Sequence, residues 1–177
     1  MRKKVLRRKK FIIILLAILV LMPVSANALD FYFLGIKSQW IKEANWGHVA
    51  LGAVSSFTSH IAGHFLYSKL KYMDVEFHGV RETVEEDDYS DSDMRNIARA
   101  GFVLQHGINL ALRFSSVKDS DFSRGFTIVT ALETWTYRLY SRDVGDFQVI
   151  DKNGGDGDRE HLFFCALSVI EVIRIEW

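Results

Sequence analysis

From Ala44 to Ser68 the chain carries no Lys, Arg, Asp or Glu, although charged residues make up 25% of the whole. A segment that long and uncharged is built to leave water over most of its length, either inside a protein core or in lipid. Ala50, Val54, Phe57, Ile61 and Phe65 recur within it at steps of three and four, which places them on one face of a helix. Gly52, Ser56, Ser59 and Gly63 form a second seam, of small residues, along which a neighbouring helix can approach closely. The length satisfies the rule for a membrane span, but Ser55, Ser56, Thr58, Ser59, Ser68, His48, His60 and His64 argue for a protein environment. The segment predicts a helix from about Ala44 to Leu70, buried at the centre of a bundle, with membrane association through residues 44–70 as the alternative.

The rest of the chain agrees with a helical fold. Its one proline is Pro23, so nothing after it interrupts a helix in the way proline does. Three more helices are expected, at Asp93 to Phe114, Asp121 to Tyr140 and Asp158 to Ile175. Their longest uncharged stretches, bracketed by Arg99 and Arg113, Arg124 and Glu133, and Glu160 and Glu171, fall short of the ~20 residues a span needs. Val75, Phe77 and Val80 suggest a short strand, and Phe147 to Ile150 a second that pairs with it. The acidic run from Glu82 to Asp93 reads as a solvated loop whose last acids favour the next helix start, with Asp91 or Ser92 as its cap. The fold class expected is mostly α: a single bundle of about four main helices with a small two-stranded element.

The amino terminus has a different character. Seven basic residues lie between Arg2 and Lys10, and an apolar run from Phe11 to Met22 follows, closed by Pro23. Ala26 and Ala28 flank Asn27 in the small-x-small pattern of a signal-peptidase site, so residues 1–28 read as a cleaved secretory signal peptide and 29–177 as the helical domain. A helix over the apolar run would rise only ~18 Å against a ~30 Å hydrocarbon core, which leaves an uncleaved inner-membrane anchor as the weaker reading. After cleavage 15 Lys and Arg stand against all 22 Asp and Glu, a net charge of −7. A nucleic-acid partner is thereby disfavoured, because the phosphates would be repelled. A divalent metal would be attracted.

His60 and His64 stand one helical turn apart, the spacing at which two imidazoles grip one metal ion. The zinc-protease helix would place a Glu directly after the first His, where this chain has Ile61, so the match to that motif is only partial and argues against such a protease. Further candidates on the other helices are His106 as a ligand and Glu133 as a catalytic base. The loop bearing Asp143, Asp146, Asp151, Asn153, Asp156, Asp158 and Glu160 is rich in hard oxygen donors and is a candidate calcium site, centred on Asp151, Asn153, Asp156 and Asp158, although it lacks the EF-hand glycine. Cys165, the only cysteine, sits among apolar neighbours and reads as a buried thiol.

No nucleophile elbow, phosphate loop or dinucleotide fingerprint is present. The sequence supports a non-enzymatic binding or interaction module of the periplasm or cell envelope, with a protein or small ligand as partner. It leaves open a metal-dependent hydrolase, with His60 and His64 as ligands and Glu133 as base, and a membrane-embedded envelope component.

Overall fold

The structure, a computed structural model, describes residues 30–32, 43–78, 81–84, 89–140 and 145–176; the expected signal peptide lies outside them. The order is β1 (Asp30–Tyr32), α1 (Trp46–Leu70), β2 (Val75–His78), β3 (Arg81–Val84), α2 (Asp91–Arg113), α3 (Asp121–Tyr140), α4 (Asp146–Lys152), α5 (Gly157–Val172) and β4 (Arg174–Glu176). β1 and β4 pair with each other. Of the described residues, 30–31 and 175–176 belong to a small unit of their own, while those between 32 and 174 form the helical unit described below.

Side chains cap the starts of α1, α2 and α5. Asn45 accepts the His48 amide to open α1, and Asp156 accepts the Arg159 amide to open α5. The cap of α2 is Ser90, one residue before the candidates Asp91 and Ser92. Its hydroxyl accepts the Asp93 amide and donates to the Asp93 carboxylate at 2.7 Å, a reciprocal cap.

The expected strand pair does not form. β2 pairs antiparallel with β3, Val75 opposite Val84 and His78 opposite Arg81, so the acidic run begins in a hairpin rather than a loop. Residues 85–88 of that run, and Val80, lie outside the described residues. The segment Phe147 to Ile150 is instead part of helix α4. A strand would send Phe147 and Ile150 to opposite faces, whereas a helix turns both to one face, and both are fully buried.

The apolar core is asymmetric. Ala98 and Phe102 from α2, Phe147 and Ile150 from α4 and Phe164 from α5 form one cluster, with the Phe102 and Phe147 rings 4.9 Å apart. The sides of α1 that meet α2 and α3 are built differently. A Cβ on Gly52 would collide with the Phe122 carbonyl of α3, one on Gly125 with the Val49 carbonyl of α1, and one on Gly63 with the Ala100 carbonyl of α2. These backbones are in direct contact.

Helix α1 is therefore not surrounded as the expected helix at the centre of the bundle would be: its small seam takes the close helix contacts, and most of its apolar seam is exposed. The buried residues are Gly52, Ser56, Ser59, His60, Gly63, His64 and Ser68. Val54, Phe57 and Phe65 of the apolar seam are 63%, 41% and 44% exposed. Backbone contact with α2 and α3 requires the small seam to face inward, and the apolar seam, on the opposite side, then faces out.

Candidate metal centre

His60 and His64 point from the inner side of α1 into the space between α2, α3 and the start of α4. The His64 Nδ1–H donates to the Ile97 carbonyl of α2 at 2.8 Å, which fixes its tautomer and turns Nε2 toward His60. The two Nε2 atoms are 3.1 Å apart. Asp146, at the first position of α4, brings Oδ2 to 3.2 Å from His60 Nε2 and 3.7 Å from His64 Nε2. All three residues are buried.

A second layer holds this trio in place. The Tyr137 hydroxyl donates to Asp146 Oδ2 at 2.7 Å and accepts the Asp146 amide at 3.3 Å. Behind His60, Nδ1 faces Gln105 Oε1 at 3.4 Å and Glu133 Oε1 at 3.9 Å. The Gln105 amide donates to Glu133 Oε2 and to Ser56 Oγ. Since the Thr130 hydroxyl proton is on the Phe126 carbonyl, Ser56 donates to Thr130, and the chain of hydrogen bonds has one direction from Gln105 to α3. The Phe102 ring meets the His60 ring edge-on at 4.6 Å.

The electrostatics follow from burial and proximity. Burial works against a charged His60, but the hydrogen bond and charge of Asp146, with Glu133 and Gln105 behind, outweigh it and raise its pKa. For His64 burial prevails over the attraction of Asp146, the positive neighbour His60 adds to it, and the pKa falls. The Asp146 carboxyl, opposed by burial, is held below its ordinary value by the His64 charge, the His60 hydrogen bond and charge, and the Tyr137 hydroxyl.

Two imidazole nitrogens and one carboxylate oxygen suit zinc and other first-row divalent ions. Bonds of about 2.0–2.1 Å at tetrahedral angles separate ligand atoms by roughly 3.3 Å, so the observed separations of 3.1, 3.2 and 3.7 Å are those of a coordination edge. His60, His64 and Asp146 are the only such group among the described residues. Gly101 of α2 lies against the same nitrogens. A Cβ there would stand 2.8 Å from His60 Nε2 and closer still to His64 Nε2, so only glycine leaves that space open.

The other candidates are placed elsewhere. Glu133 lies behind His60, on the Nδ1 side, away from the nitrogens that face Asp146. His106 Nδ1 donates to the Glu171 carboxylate, 2.9 Å from both oxygens, and Asn109 donates to the same group at 2.8 Å. Asp151 accepts the Gly157 amide and faces Arg138, Asp158 pairs with Arg138, Asp156 caps α5, and Asn153 donates to the Val149 carbonyl. These four serve the turn between α4 and α5 and its ion pairs.

In the sequence Asp146 belongs with the oxygen donors of the candidate calcium loop, and no spacing joins it to the histidines. The usable signal was Gly145–Asp146 followed by Phe147 and Ile150, a helix start with an acid in its first turn. No protein-family model matches the chain, and neither a curated protein nor a solved structure shows significant similarity to it.

Proposed function

We propose that this is an exported cell-envelope protein that binds one divalent metal ion through His60, His64 and Asp146 and uses it for hydrolysis. Export rests on the basic and apolar amino terminus with its small-x-small site. The metal reading is carried by one observation, the convergence of three donor atoms at coordination spacing, each oriented from behind by a hydrogen bond. Three protein ligands, as distinct from four, is the donor count of catalytic zinc sites, where a bound ion activates water. Within that scheme Glu133 acts as a positioning residue, holding His60 with Gln105, and is not the base.

Elemental analysis of the purified protein tests the metal. About one ion per chain is expected, lost in His60→Ala, His64→Ala and Asp146→Asn and kept in Asp156→Asn. A folded, metal-free protein from zinc-, manganese- and iron-supplemented medium overturns the metal site. Hydrolysis of chromogenic ester and phosphodiester substrates, abolished by chelator and restored by the ion, tests the chemistry. Failure there with metal retained removes the enzyme and leaves a metal-binding module.

A second reading has its own support. The same 3.1 and 3.2 Å separations are hydrogen-bond lengths, and a buried His60, His64 and Asp146 network completes itself without an ion. The protein is then a non-enzymatic binding module with a polar core, and the elemental analysis separates the two.

A further inference from the structure

We propose that the outer face of α1, continued across the groove between α1 and α2, seats on the hydrocarbon of a zwitterionic lipid bilayer. The inference is independent of the metal site. It starts from what this face exposes: Leu51, Val54, Phe57, Phe65, Leu66 and Leu70 on α1. Leu66 and Leu70 run directly into a groove of about 560 Å³ whose far wall carries Val103 and Ile108 of α2. So large a continuous apolar surface marks an interaction site.

Three features choose lipid over a protein partner. First, threonine hydroxyls on the outward sides of α1 and α3 bond within their own helix. The Thr58 hydroxyl donates to the Val54 carbonyl at 2.8 Å and Thr136 to the Leu132 carbonyl at 2.6 Å, each one turn back along its own helix, which is how a hydroxyl avoids a lost hydrogen bond where water is absent. Second, α1 meets its neighbours by glycine contacts and buried polar bonds, Gly52 on α3, Gly63 on α2 and Ser56 to Thr130. That is the device used where lipid removes the hydrophobic drive for helices to associate.

Third, the face is free of charge over residues 44–68, and the one cation lining the groove, Arg99, is held by Glu160 at 2.6 and 2.7 Å. At the end of the face the Lys69 ammonium stands over the Phe65 ring, 5.6 Å from its centre, and its long stem lets the charge stay at the headgroup level while the ring enters hydrocarbon. A net charge of −7 on residues 29–177 disfavours an anionic surface, which makes the zwitterionic bilayer the matching one. Among the described residues no helix is long and apolar enough to cross a membrane. The contact is therefore with one leaflet, α1 lying in the interface.

Site-directed spin labelling of the full chain tests this without interference from residues 1–28. In a Cys165→Ser background, labels placed by Val54→Cys, Phe57→Cys and, as a control on the turn before α5, Asp156→Cys are read in phosphatidylcholine vesicles by accessibility to oxygen and to a neutral nickel chelate. Lipid contact raises the oxygen-to-nickel ratio at 54 and 57 several-fold above that at 156. Equal, water-like ratios at all three positions overturn the proposal. Low accessibility to both reagents at 54 and 57 also overturns it, showing a protein cover, and dipolar broadening in that case identifies a second copy of this chain.

Discussion

At the scale of single residues the site depends on an atom that is missing. Gly101 stands mid-helix in α2, where alanine is preferred by about 1 kcal/mol. Its Cβ would nevertheless enter the space between the two imidazoles. Overpacking of that kind costs about 1–3 kcal/mol, and here the flexible partners are the rings whose positions make the site. Gly101→Ala is expected to lose the bound metal while the fold remains, with a lower melting temperature; elemental analysis and thermal unfolding of the same sample check both. A variant that keeps its ion and gains stability would show that the rings have room to retreat.

Cys165 is the opposite case, a reactive group held inert. Burial pushes its thiol from 9.0 up to about 12, although the sulfur lies 3.4 Å from His161 Nε2. That nitrogen donates to the Thr134 carbonyl and gives the sulfur no base. At pH 8 about a thousandfold less thiolate is present than in the unfolded chain. Iodoacetamide should therefore leave the native protein unmodified and label it on denaturation. The sign for stability follows: the unfolded chain releases its thiol proton above about pH 9 while the folded chain keeps it, so this group's contribution falls as pH rises from 9 toward 12. Of the site, His60 and His64 could be read from the sequence because i,i+4 spacing fixes a shared face. Asp146 could not, since its arrival depends on how α4 docks, which no local period encodes.

At the scale of elements, α1 shows how far pattern reading reaches. Its length, its limits and its two seams are visible in the sequence, but the expected burial at the centre of the bundle holds only for the small seam. Apolar side chains normally mark the interior, but backbone contact at Gly52, Gly63 and Gly125 places a stronger steric demand on the small seam. The short helix α4 was hidden for another reason: four apolar-rich residues fit a strand as well as a helix, and only the Phe147 to Ile150 spacing separates them. The orientation of the two seams has a measurable consequence. Gly52→Val forces a side chain onto the Phe122 carbonyl, which cannot move aside as a side chain would, and should cost about 3 kcal/mol or more. Val54→Thr, two residues on but outward, should change stability by less than about 0.5 kcal/mol. Denaturant unfolding in one detergent or buffer condition gives both values, and equal costs would place the apolar seam inside.

At the scale of the whole molecule, the bundle is held by an apolar cluster around Phe102 at α2, α4 and α5 and by polar bonds that tie α2 to α1, α3 and α5. The strongest of these joints links three helices. His106 and Asn109 of α2 bind Glu171 of α5, Asn109 accepts the Thr127 hydroxyl of α3 at 2.7 Å, and Arg113 donates to the Glu171 and Ile173 carbonyls. The side chains of His106 and Glu171 are only 2% and 1% exposed. A buried pair of this kind earns little net stability over an apolar replacement, because both groups have left water, but breaking it from one side strands the partner. Glu171→Leu should therefore destabilise by about 3–5 kcal/mol, leaving His106 and Asn109 facing an apolar side chain. The double change His106→Leu with Glu171→Leu should recover a part of that loss, with a coupling of about 1–3 kcal/mol in the thermodynamic cycle. Urea unfolding of the four proteins measures it. Additive losses would mean that Asn109, rather than His106, is the partner the Glu171 carboxylate needs, since the Arg113 bond to the Glu171 backbone carbonyl is untouched by either substitution.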